Sequence, residues 1–497
     1  MTEIETPPLT SIVSYPRHKH MVTSDLVFIP SPGAGHLPPT VELAKLLLHR
    51  DQRLSVTIII MNFSFGAKHN TETRQCTPRL RFIDIPCDES VMALITPKAF
   101  LTAFVEHHKP RVRDIVQGII QSGSLRLAAF VVDMFCTSMI DVANEFGAPT
   151  YTYFTSSAAM LGLMFHFQAK RDNEAYDATE LKNTESKLLV PSFVNSVPSK
   201  VLPEVLLDKE GGCKMFLDLT KRFRESKGII VNTFQDLEGH GLEYLLSSNL
   251  ELPPVFAVGP ILNQENKNDD DSKRDEIITW LDDQPKGSVV FLCFGSMGSF
   301  NEKQVKEMAV AIERSGHRFL WSLRRPPPKE KRESPKEYEN FEEVLPEGFL
   351  EHTSSVGKVI GWAPQMAVLS HPSVGGFVSH CGWNSTLESI WCGVPIAAWP
   401  LYAEQQVNAF ELVVELGLAV EIRMDYKTDM RSGGGNEMMV TAKEIEDGIM
   451  KLMSDGEMRK KAEDMKEKSR SAVVEGGSSH ASIGNFIQHL LNVQNKS

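Results

Sequence analysis

No apolar run in the 497-residue chain approaches the roughly 18–20 residues needed to span a bilayer. The first 24 residues lack the apolar stretch of a secretory signal and carry Pro7, Pro8, Pro16 and the basic run Arg17-His18-Lys19-His20 instead. Positive charge is in deficit: 52 Lys and Arg against 64 Asp and Glu, a formal charge of −12. Such a surface repels phosphate backbones and anionic lipids, so neither nucleic acid nor a membrane is an expected partner. The seven cysteines contain no C-x-x-C pair, and several sit in apolar runs such as Phe291-Leu292-Cys293-Phe294. That is the pattern of buried free thiols in a reducing compartment. No solenoid repeat is present. These absences predict a cytoplasmic protein whose residues 1–24 form a disordered extension.

What is present is alternation. Apolar residues make up 42% of the chain and charged residues 23%, an ordinary globular balance for more than one domain. Leu26–Ile29, Val56–Met61, Leu80–Ile85 and Leu127–Val132 are continuous apolar runs, the mark of strands covered on both faces. Helical spacing lies between them, over Thr40–His49 and over Leu101–Ile120, the latter interrupted at Pro110. The polar, turn-rich residues 263–275 read as solvated loop, after which the pattern restarts with Ser288–Phe294, a helix at Asn301–Arg314 and a strand at Arg318–Leu323. This α/β order predicts two Rossmann-like domains facing each other across a cleft, over 25–255 and 256–478, with a C-terminal helix in 479–497. Arg324–Glu343, with Pro326-Pro327-Pro328, and Asp425–Glu437, with Gly433-Gly434-Gly435, read as mobile surface insertions.

Residues 362–405 carry the densest signal: WAPQMAVLSHPSVGGFVSHCGWNSTLESIWCGVPIAAWPLYAEQ. Val374–Ser379 reads as a strand, His380-Cys-Gly-Trp-Asn384 as a tight turn, and a helix opens at Ser385, where Ser385 and Glu388 fit a capping box. Strand, glycine turn and helix N-terminus together make an anion site suited to a diphosphate. A second strand, Ile396–Trp399, leads to Glu404 and Gln405, whose acceptors and donors suit sugar hydroxyls. Trp391 and Trp399 read as core. Residues alone support a nucleotide or phosphate binder.

The segment closely resembles the signature box of plant secondary-product UDP-glycosyltransferases, glycosyltransferase family 1, in its WAPQ opening, HCGWNS core, EQ ending and length. The similarity runs from about Asp25 to the C-terminal helix, and it is greatest to enzymes that glucosylate flavonoids, hydroquinone-like phenols and terpenoids. The resemblance implies the GT-B fold and an inverting transfer of glucose from UDP-glucose to a hydroxyl of a small lipophilic acceptor. It further implies a monomer with no metal or other cofactor, and a C-terminal helix that returns to the N-terminal domain. Trp362 would stack on uracil, with Ala363 and Gln365 fixing its edge. Glu388 would hold the ribose hydroxyls. His380, Asn384, Ser385 and Ser296 would contact the diphosphate. Trp383, Glu404 and Gln405 would read the sugar, Gln405 pointing to glucose. Phe135 and Tyr402 match positions that line the acceptor pocket in relatives; Met134, Phe154 and the segment around Phe216 are further candidates.

His36, in Ser31-Pro32-Gly33-Ala34-Gly35-His36, and Asp133 each follow a predicted strand, so parallel strands would bring both to one sheet edge. The family resemblance makes His36 the general base and Asp133 the carboxylate that orients it. Gly33-Ala34-Gly35-His36-Leu37-Pro38 lacks the third glycine of a dinucleotide fingerprint, which argues against a nicotinamide or flavin oxidoreductase. The remaining rivals are another UDP-sugar donor, nitrogen or sulfur acceptors, and a non-catalytic UDP-sugar sensor.

Overall fold

The computed structural model describes residues 23–494 except 34, 63–75, 87–99, 124–125, 248–250, 264–270, 329–332 and 429–437. The 1–24 extension therefore lies almost wholly outside the described residues. The first sheet contains β1 (Ser24–Ile29), β2 (Leu54–Met61), β3 (Leu80–Ile85), β4 (Arg126–Asp133), β5 (Thr150–Phe154), β6 (Ile229–Val231) and β7 (Val255–Ala257). They run in the order β3-β2-β1-β4-β5-β6-β7. Their pairings are parallel throughout. The second sheet takes β8 (Val289–Cys293), β9 (Arg318–Ser322), β12 (Gly357–Ile360), β13 (Val374–Ser379), β14 (Ile396–Ala398) and β15 (Ala419–Glu421) in the order β12-β9-β8-β13-β14-β15. A short antiparallel hairpin, β10 (Arg324–Arg325) with β11 (Lys336–Glu337), stands beside it.

Both sheets reverse direction of winding at one place, β1/β4 in the first and β8/β13 in the second. Loops leaving the carboxyl ends of those strands diverge there and leave a crevice. All residues of β2 and β8 are buried, as their continuous apolar runs require. Helices cover the faces: α1 (Leu37–Arg50) and α2 (Phe100–Gln121) follow β1 and β3, and α3 (Ala158–Glu174) follows β5. In the second half, α4 (Glu302–Ser315) follows β8, α5 (Trp383–Cys392) follows β13 and α6 (Gln405–Phe410) follows β14.

Several expectations need correction. α2 is continuous through Pro110, because buried Phe104, Val105, Val112 and Val116 hold both sides of the proline against the sheet. β7 pairs with β6, so the first sheet extends beyond the expected boundary at 255. A helix begins at Asp271, inside the expected loop 263–275. The 324–343 segment carries regular structure of its own, since Arg324–Arg325 and Lys336–Glu337 within it pair as β10–β11. Part of the 425–437 insertion lies outside the described residues, and Tyr426 within it is buried. The last helix, α7 (Ser478–Gln494), packs Phe486 edge-on against Tyr151 of β5 and Phe256 of β7, at 5.1 and 5.5 Å between ring centroids.

Candidate active site

His36 occupies the cap position before α1, directly beyond β1. Asp133 ends β4, whose Val132 pairs with Ile29 of β1. The parallel register brings the two side chains together: His36 Nδ1 donates to Asp133 Oδ2 at 2.8 Å. Asp133 has no exposed side-chain surface, and its Oδ1 accepts the Phe135 N–H at 3.0 Å. Thr155, the first residue past β5, places Oγ1 3.0 Å from the same His36 nitrogen. Phe135 meets the imidazole edge-on at 5.5 Å. Nδ1 is thus occupied, and Nε2 is the nitrogen left to take a proton. Burial pulls the His36 pKa down, but the charge and hydrogen bond of Asp133, with the charge of Glu404, outweigh it and hold the group above its ordinary value.

The opposite wall comes from the second sheet. The turn after β13 carries His380, Cys381 and Gly382, and α5 opens at Trp383 rather than at Ser385. The expected capping box is therefore absent. Ser385 lies in the first turn, and Glu388 instead accepts Gln365 Nε2–H at 2.7 Å, while the same nitrogen donates to Ser385 Oγ at 2.8 Å. No side chain caps α5, so the N–H groups of its first turn remain unpaired within the helix. Burial drives His380 down to about 4, a neutral imidazole at pH 7, and its Nδ1 has no hydrogen-bond partner. Gly295, at φ +74°, and Gly382 lie so near His380 that a Cβ would come within 2.6 and 2.5 Å of its Nε2. Cys381 and Ala403 hold positive φ of 60° and 59° without being glycine, strain concentrated in the two loops that line the cleft. Burial also pushes the Glu388 carboxyl up to about 7.

Between the walls lies a cavity of about 700 Å³. His36, Met134, Phe135, Ser296, Trp362, Ala363, Gln365, His380, Trp383, Asn384, Ser385, Glu388, Tyr402, Glu404 and Gln405 all line it. Three of these have commitments sequence did not reveal. Trp383 is buried and donates Nε1–H across the cleft to the Asn232 carbonyl at 2.7 Å, so its indole joins the domains and its unpaired backbone N–H remains for a ligand. Gln405 Oε1 accepts the N–H groups of Leu401 and Tyr402 at 2.9 and 3.1 Å, leaving only its amide NH2 to offer. Asn384 Nδ2 donates to the Gly35 carbonyl at 2.8 Å, a second tie between the walls. Phe154 is not in the cavity: it is fully buried and packs against Phe223 at 6.0 Å, on the helix-covered face of β5. The cavity wall there belongs to Thr155 and Ser156. Met160, Met215, Phe216 and Arg324 also line it. Thr155 was discoverable from its place at the end of a strand beside β4; Arg324 was hidden in a segment that reads as an insertion.

Two facing Rossmann-like sheets whose switch points share one cleft define the GT-B class of transferases. A profile described as "UDP-glucoronosyl and UDP-glucosyl transferase" matches residues 258–455. Over 473 residues the chain is 77% identical to UDP-glycosyltransferase 71E1 of Stevia rebaudiana, an alignment spanning 95% of this chain and 100% of the relative. A ugt transferase from Siraitia grosvenorii, solved with UDP, superposes with TM-score 0.82 at 46% identity, over 94% of this chain and 100% of that one. UGT71G1 of Medicago truncatula, solved with UDP-glucose, gives 0.81 at 41% identity, over 94% and 98%. The chain belongs to the plant UDP-glycosyltransferases, glycosyltransferase family 1, and is a glycosyltransferase. Among the described residues, no helix is long and apolar enough to cross a membrane.

Proposed function

We propose that the chain transfers glucose from UDP-glucose to a hydroxyl of a small lipophilic acceptor, with inversion, as a monomeric cytoplasmic enzyme that needs no metal. The observation that carries this reading is the His36–Asp133 pair facing the open N-terminus of α5 across one cavity.

The donor lies along the second sheet. Trp362 stacks on uracil, Ala363 and Gln365 hold its edge, and Glu388 accepts the ribose hydroxyls. Ser296, His380, Asn384 and Ser385 surround the diphosphate. The α5 dipole and its free N–H groups stabilise the charge that develops on the leaving β-phosphate. The Gln405 amide, Glu404 and the Trp383 backbone read the sugar. The acceptor sits against Phe135, Met134 and Tyr402, an apolar wall suited to a flat ring.

A phenol has a pKa of about 10 and imidazole about 6.5, so full proton transfer before attack is uphill by roughly 5 kcal/mol. The proton therefore moves to His36 Nε2 as the acceptor oxygen bonds the anomeric carbon. The raised His36 pKa narrows the gap, and Asp133 stabilises the imidazolium formed. The anomeric carbon–oxygen bond breaks on the opposite face, its electron pair leaves with UDP, and an α-linked donor gives a β-glucoside.

The test is mass spectrometry of products from purified protein, UDP-glucose and a panel of phenols, flavonoids and terpenoid alcohols, with and without EDTA. A product heavier by one hexose, insensitive to EDTA and absent in His36→Ala, supports the reading. Product only with another UDP-sugar overturns the donor; UDP binding with no turnover of any donor favours a sensor.

A further inference from the structure

We propose that Arg324 and Glu337, paired at the base of the β10–β11 hairpin, are positioning residues that brace Trp362 against the donor base. This rests on reading Trp362 as the uracil platform.

Trp362 follows β12 and is 49% exposed, so much of its surface lies outside the core. A mobile indole would have to be ordered each time a nucleotide binds, at a cost to affinity. The hairpin helps to fix this one in place. Glu337 Oε1 accepts the Trp362 backbone N–H at 3.0 Å. The Arg324 guanidinium lies over the indole, 5.4 Å from the ring centroid. Arg324 and Glu337 are direct partners in the antiparallel pairing, and Arg324 Nη2 donates to the Pro335 carbonyl. One residue thus fixes the platform's backbone and the other covers one face of its ring. Arg324 is itself half-buried and lines the cavity beside Ser322 and Cys293. With one face covered, the other receives uracil, in the order guanidinium, indole, base. A planar guanidinium stacks on an aromatic face where an ammonium does not, so lysine is a poor substitute. Because the brace acts before the sugar reacts, it belongs to donor affinity and not to the chemical step.

The experiment is calorimetric titration of UDP, with steady-state KM and kcat for UDP-glucose, on wild type, Arg324→Ala, Arg324→Lys, Glu337→Ala, Trp362→Ala and the double variant Arg324→Ala/Trp362→Ala. Arg324→Ala and Glu337→Ala are expected to weaken UDP binding and raise KM roughly three- to tenfold with kcat unchanged, and lysine to restore only part. In the Trp362→Ala background, adding Arg324→Ala should change UDP affinity less than about twofold, because the two act as one unit. Equal weakening in both backgrounds overturns the brace, since Arg324 then touches the nucleotide or the fold directly. Tighter UDP binding in Arg324→Ala also overturns it, because the guanidinium then occupies the base's own place. Unchanged UDP affinity in Trp362→Ala sinks the uracil platform itself, and the brace with it.

Discussion

At His36 burial and charge pull in opposite directions, and the carboxylates win. As the proposed general base, His36 must be neutral to work, so on that proposal kcat/KM should rise with pH through its raised pKa. Asp133→Asn removes the larger of the two charges. The acidic limb should then move to lower pH while kcat/KM falls on the order of 10²–10⁴-fold. An unmoved limb in that variant's pH–rate profile would place the controlling proton elsewhere. Glu388 gives an independent reading. Its carboxyl, pushed to about 7 by burial, is part-protonated near neutrality, while the ribose hydroxyls proposed as its partners would donate best to the ionised form. UDP binding near pH 7 should therefore release a fraction of a proton, measurable calorimetrically in buffers of different ionisation enthalpy and lost in Glu388→Gln. Gln405→Glu keeps the acceptor that holds its loop but loses the amide donor. Turnover of UDP-glucose should fall at least tenfold while UDP binding stays near wild type, as a displacement assay would show.

Among the elements, the loop after β8 and the turn after β13 are fitted to each other. Gly295→Ala adds a Cβ at φ +74° and 2.6 Å from His380 Nε2. Strain and clash together should push His380 out of place and weaken UDP binding at least tenfold, with little change in acceptor binding. Wild-type UDP affinity in that variant would mean His380 does not face the diphosphate. The glycine turn was legible in the chain, because strand, glycine and helix follow one another within about a dozen residues. The start of α5 was not. Serine and glutamate three apart mimic a capping box, and only the approach of Gln365, at the start of the short helix Gln365–Leu369, shows that Glu388 is engaged elsewhere.

At the scale of the molecule, the two halves are held together by buried contacts. Glu411, just past α6, meets Glu238 of the first half; Glu238 accepts the N–H groups of Ala158 and Ala159 at the start of α3, at 2.9 and 2.7 Å. Burial, then the neighbouring Glu238 charge, pushes the Glu411 carboxyl well above its ordinary value. A carboxyl raised in the folded state binds protons the unfolded chain has lost, so stability falls as pH climbs from the ordinary carboxylate range toward the raised value. Glu411→Gln should flatten that fall in thermal unfolding followed from the ordinary carboxylate range upward. α7 adds a further long-range contact by packing on β5 and β7. Phe486 is fully buried, and Phe486→Ala should cost about 3–5 kcal/mol and lower Tm accordingly.

Apart from the roles that the family resemblance implies for His36, Asp133 and Glu388, the sequence was enough for the alternation of buried strands and helices, the strand–turn–helix at 374–392 and the places of His36 and Asp133 beyond two strands. Those follow from local pattern and residue type. It could not decide which face of β5 Phe154 occupies, that Trp383 spends its indole N–H on Asn232, or that Arg324 reaches the Trp362 ring. Each of these depends on a partner from 38 to 151 positions away, or on which sheet face the helices cover. Trp383 and Asn232 meet only where the two sheets face each other, and the other two contacts depend on packing within one half, so tertiary packing alone decides them.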